Sequence, residues 1–158
     1  MDLNDWILAL HLISAVLVVS AEVLFTILIV ASWRSDSPSR IASTMSIARL
    51  GTLLVMVGLA GTIVFGVWLA ISLDAYQLWD GWVIAALVLW AIAGGLGQRA
   101  GEGYAEAGRL AEQRAAEGDA PSSELAATFG PSTTFWLHLA SFAVILLIIV
   151  VMIWKPGA

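Results

Sequence analysis

The chain contains no cysteine, which excludes disulfides, thiolate metal sites, iron–sulfur clusters and covalently attached haem. Charge is scarce too. Asp, Glu, Lys and Arg together make up 12% of residues, about half the roughly 25% of a soluble domain. Seven basic residues stand against twelve acidic ones, and no basic patch is interleaved with aromatics, so nucleic-acid binding is excluded as a function class. The first residues lack Arg and Lys and carry Asp2 and Asp5 instead. With an apolar run too long for a secretory leader, the expectation is that the first helix is retained. Catalytic vocabulary is thin: there is no metal triad, no serine-nucleophile motif and no phosphate cradle. Gly94-Gly95-Leu96-Gly97 follows no strand and does not read as a nucleotide loop. The methionines are scattered and there is no His-x-His, so soft copper ligands do not converge.

What is abundant is apolar sequence, 60% of the chain. Four runs are long enough to cross a bilayer, at about 6–32, 50–73, 82–98 and 134–154. The expected fold class is all-α: an integral membrane four-helix bundle, one domain over 1–158, with a partly helical cytoplasmic loop over 99–133. Ser37-Pro38 reads as an N-cap followed by proline in the first turn, so the second helix is expected to start in water and run through Arg49 into the bilayer. Gly130-Pro131 breaks the chain before the fourth span, which Ser132 or Thr133 is placed to cap. Arg99–Glu117 is polar and alanine-rich, with Glu106–Arg109 and Arg109–Glu112 at helical spacing. The link Gly118–Ser123 reads as flexible.

Basic residues set the orientation. Arg34, Arg40 and Arg49 follow the first span, and Arg99, Arg109 and Arg114 follow the third; the other side has Lys155 alone. The positive-inside rule therefore puts both Arg-bearing loops in the cytoplasm and both termini outside, with Asp2, Asp5, Asp74 and Asp80 on the outer side. The compartment expected is the bacterial inner membrane. Trp6, Trp79, Trp82 and Trp154 fall at the outer interface and Trp33 and Trp136 at the inner one, as anchors; Trp90 is mid-span. Gly58, Thr62, Gly66 and Ala70 form a small-residue stripe on span two, and Ala85, Ala93 and Gly97 a second on span three. These read as packing seams within the bundle, with self-association through the span-two face as the alternative.

Three ionisable side chains lie within the spans. A carboxylate such as Glu22 inside an apolar run costs roughly 3 kcal/mol, so it needs a partner, a proton or a water-filled cavity. Glu22 and His11, eleven residues apart, share a helix face about 16 Å apart along the axis. Their depths read as outer third for His11, middle for Glu22 and inner third for His138. Two readings of these groups stay open: each hydrogen-bonds a neighbouring helix, or Glu22 and His138 form a proton or ion site, with gaps too long for direct transfer. One haem iron cannot bind both histidines at such different depths, whereas haem b on His11, with Met152 as a weaker second ligand, remains open. Leu10-His11-Leu12-Ile13-Ser14 and Leu137-His138-Leu139-Ala140-Ser141 repeat a His–Ser pair on two antiparallel spans.

Leu10-His11-Leu12, the Gly58–Trp68 segment leading to Asp80-Gly81-Trp82, and the ending Met152-Ile153-Trp154-Lys155-Pro156-Gly157 together resemble a bacterial family of small four-span integral membrane proteins. That family is itself distantly similar to copper-resistance D and HemJ-type protoporphyrinogen oxidase proteins. The resemblance implies a four-helix bundle with His11 as the ligand or polar-site residue of span one. HemJ-type proteins also use a lysine within a later span, whereas Lys155 stands at the C-terminal edge. The expected role is non-catalytic: an accessory or scaffold subunit of a redox or transport assembly, meeting the lipid bilayer and other membrane subunits, with a polar site at His11 and Glu22. The rivals are a haem-binding redox protein using His11 and a small proton-coupled transporter.

Overall fold

The computed structural model describes residues 2–72 and 77–156. Asp74, the end of the second expected span at Leu73, and Gly157 lie outside the described residues. Five helices follow one another: α1 (Leu3–Trp33), α2 (Pro38–Ser72), α3 (Gly81–Ala116), the short α4 (Ser123–Thr128) and α5 (Thr133–Trp154). Among the described residues there is no strand. Four of the helices, the last counted together with α4, are long and apolar enough to cross a membrane. The fold class is therefore an all-α, four-span helical bundle.

Local chemistry sets the helix ends. Asp2 and Asp5 form a reciprocal capping box at the start of α1. Pro38 opens α2, as expected from the Ser37-Pro38 pair, and Ser37 Oγ accepts from the Arg40 N–H at 3.4 Å. Ser132, rather than Thr133, caps α5 by accepting from the Phe135 N–H at 3.3 Å. At about 1.5 Å per residue, α2 and α3 exceed 50 Å, well beyond the roughly 30 Å hydrocarbon core. Both therefore leave the bilayer as continuous helices, and they do so at the end that carries the arginines.

The bundle consists of two antiparallel hairpins, α1–α2 and α3–α5, joined mainly through α2 and α3; α1 and α5 approach each other at few points. Small residues let the first hairpin close. A Cβ on Gly58 would fall 2.7 Å from Val18 Cγ2, and one on Gly66 2.9 Å from His11 Cε1. The span-two stripe thus lies against α1 and acts as a seam inside the chain. In the second hairpin, Ser141 Oγ donates to the Ala93 carbonyl at 3.1 Å and packs against Gly97.

At the arginine-bearing end, α1, α2, α3 and α4 enclose an apolar cluster of Ile29, Ile41, Ala107, Ala111, Leu125 and Phe129. Phe129 is fully buried and stacks on Tyr104 at 5.7 Å. Several expectations are corrected here. The Gly118–Ser123 link is a built connection: Asp119 adopts a left-handed φ of 56° and accepts from the Ser39 backbone N–H at 2.7 Å and its hydroxyl at 2.6 Å. Ser122, in turn, caps α4, which sequence periodicity did not show. Arg109 pairs with Glu106, but Glu112 turns to Arg49 on α2 at 3.3 Å instead of to Arg109. Trp82 is no interfacial anchor, being 7% exposed with the Lys155 ammonium 5.6 Å from its ring. Trp79, at 72%, keeps the exposure an anchor needs.

Candidate functional site

Glu22 and His138 meet where α1 and α5 come together. Both are 5% exposed, and Glu22 Oε2 lies 3.4 Å from His138 Nδ1. The separation expected from helix depth is corrected by this contact. The two helices run antiparallel and cross at this level, so residues far from each other in sequence share one layer of the bundle. The gap between Glu22 and His138 is short enough for a proton to bridge; the gap to His11 is not.

Thr26 fixes the geometry. Its hydroxyl donates to the Glu22 carbonyl one turn back at 2.9 Å, and the same oxygen lies 2.9 Å from His138 Nε2. A hydroxyl has one proton to give. With that proton on the carbonyl, the oxygen accepts from Nε2–H, and Nδ1 is left to face the carboxyl group. The Nδ1–Oε2 contact then requires one proton, carried either by Glu22 or by His138. In both forms the pair has no net charge, which is what a low-dielectric interior tolerates. Glu22 Oε2 has no hydrogen-bond partner among the described residues, and its 3.4 Å approach to Nδ1 is an ion-pair contact.

His11 occupies a different setting. Its Nδ1 lies 3.1 Å from the Thr62 carbonyl. A carbonyl only accepts, so Nδ1 carries the hydrogen and neutral His11 presents Nε2 as a lone pair. Gly66 provides the seat for the ring. His11, Thr62, Gly66, Ala70, Trp90 and Met152 all line one cavity of about 550 Å³. The His–Ser repeat is not a structural repeat. His11 and Ser14 both face α2, whereas His138 faces α1 and Ser141 faces α3.

The role of Thr26 was not read from the sequence. The i to i+4 spacing of Glu22 and Thr26 was the available signal, since it puts both side chains on one helix face. Gly51 and Gly61, which pack on Phe25 and Ser14, fell outside the four-residue stripe and were missed.

Four long apolar helices closing on a buried carboxylate–histidine pair define a polytopic helical membrane protein with a polar centre. The chain belongs to the family of predicted integral membrane proteins DUF2269, whose model matches residues 5–156. No curated protein and no solved structure matches it.

Proposed function

We propose that the protein is a non-catalytic subunit of the bacterial inner membrane that serves a redox or transport assembly by holding one exchangeable proton between Glu22 and His138. Both termini face outward, and both arginine-bearing loops face the cytoplasm. The observation that carries this reading is the buried 3.4 Å contact between Glu22 Oε2 and His138 Nδ1, with the second ring nitrogen held by Thr26. A pair so arranged carries its one proton on either partner without placing net charge in lipid. Its position at the sparse meeting of α1 and α5 makes it a polar link between the two hairpins inside the spans, so a change in its proton is felt by both.

The test is infrared difference spectroscopy on the full chain in lipid nanodiscs, together with proton flux in proteoliposomes. A carboxyl band that responds to pH, is lost in Glu22→Gln and is displaced in His138→Phe is the expected result. Flux without a partner subunit that disappears in Glu22→Gln would assign a self-contained proton-coupled transporter. A carboxyl spectrum identical in the parent and Glu22→Gln would overturn the proton site.

A further inference from the structure

A second site lies apart from the Glu22–His138 pair. The cavity of about 550 Å³ sits between the two hairpins and is lined by all four long helices, within the range of roughly 300–1,000 Å³ usual for small-molecule sites. Its wall is largely apolar. Asp5 and Lys155, the charged residues on it, stand at the terminal end of the bundle, Asp5 in the first turn of α1 and Lys155 capping α5. Deeper in, the polar groups are Thr62, the indole N–H of Trp90 and the ring of His11. With Nδ1 committed to Thr62, Nε2 is an acceptor with no partner among the described residues. Filling the cavity with a hydrocarbon chain would leave that acceptor dry, which is unfavourable in a low-dielectric setting.

Trp90 shares the level of His11. It lies nine residues into α3 and His11 eight residues into α1, and both helices start from the terminal end, so each sits about 12–14 Å along its axis. An indole and an imidazole at one depth give a flat headgroup two rings to pack against. We propose that this cavity binds a neutral lipid of the quinol class: a hydroxylated ring that donates to His11 Nε2 and packs beside Trp90, with its apolar tail between the hairpins. Gly66 is the positioning residue, since the His11 ring sits against it where a Cβ would intrude at 2.9 Å.

The probe is a decyl-benzoquinol kept anaerobic, titrated onto the full chain in detergent and followed by tryptophan emission and melting temperature. Saturable binding is expected. It weakens about tenfold in His11→Phe, as loss of one hydrogen bond predicts, and stays within about threefold in His11→Gln, which keeps an acceptor. Glu22→Gln leaves it unchanged, which separates this site from the proton pair. A photoreactive quinol on the unmodified chain is expected to label the segments around His11 and Trp90, so the proposal does not depend on any variant folding. Binding indifferent to His11→Phe, equal competition by a diacylglycerol, or labelling confined to other segments would overturn it. So would a Soret band in the extracted protein that vanishes in His11→Phe, because a haem iron would then occupy Nε2.

Discussion

The two ends of the bundle are built on different physics. At the arginine-bearing end, α2 and α3 run past the spans and meet α4 over Ile41, Leu125 and Phe129, a dense apolar cluster of the kind that water drives together. At the terminal end, α1 and α2 are held together by small residues and backbone contacts. There Gly58 and Gly66 press on α1, and a cavity remains between the hairpins. Lipid supplies no hydrophobic drive between helices, so close approach and hydrogen bonds must hold them. The contrast suggests that the first end carries stability and the second leaves room for a ligand.

Core truncations at the two ends test this contrast most severely. Phe129→Ala removes a fully buried ring stacked on Tyr104 and is expected to cost about 3–5 kcal/mol. Ile149→Ala, on the cavity wall, removes atoms that already face open space and should cost about 1 kcal/mol or less. Thermal or denaturant unfolding in detergent measures both, and equal losses would break the distinction between the ends.

The polar pair comes next. His138→Phe leaves Glu22 buried beside an apolar ring, at an expected cost of about 2–3 kcal/mol. Glu22→Gln keeps an amide donor for Nδ1 and should cost less. A double-mutant cycle should return a coupling of about 1 kcal/mol; zero coupling would mean that the 3.4 Å contact contributes nothing. The glycine seam ranks below it. Gly66→Ala forces the His11 ring to move and is expected to cost about 1–2 kcal/mol. Gly95→Ala meets nothing within 4 Å on α3 and should stabilise by up to about 1 kcal/mol. Opposite signs for the two alanines would sharpen the seam assignment, and like signs would undo it.

These tests also separate what sequence made legible from what it did not. The four spans and the continuation of α2 and α3 beyond them followed from apolar run length, from Ser37-Pro38 and from the alanine-rich stretch after Gln98. Each is a local signal. The meeting of Glu22 with His138 was not legible, because one sequence fixes neither the level of each residue in the folded bundle nor which faces point at one another. For the same reason Trp82 read as an anchor: its position near a helix start is shared by exposed and buried tryptophans, and only the packing of α5 against α3, which brings Lys155 over the ring, decides between them. The link at Asp119 was hidden because its partner, Ser39, is eighty residues earlier. Glycine and small polar residues read alike whether a loop is loose or tied down.

Asp119 yields the smallest expected effect and the clearest sign. The Ser39 hydroxyl, then its backbone N–H, hold the Asp119 carboxyl below the ordinary carboxylate range. The carboxylate sits at the first turn of α2, where negative charge is favoured by the helix dipole. Because the folded value is depressed, the contribution is fully present above the unfolded value of about 3.9 and is lost as pH falls through the folded value. Acid titration of melting temperature should therefore show a shallow step below about pH 4. Asp119→Asn should remove that step while keeping the fold, since asparagine also tolerates a left-handed backbone and its carbonyl oxygen can still accept from the Ser39 N–H. An unchanged acid limb would assign the step to another carboxylate and leave the link between α3 and α4 held by the Ser122 N–H to Asp36 carbonyl bond and the Phe129 cluster.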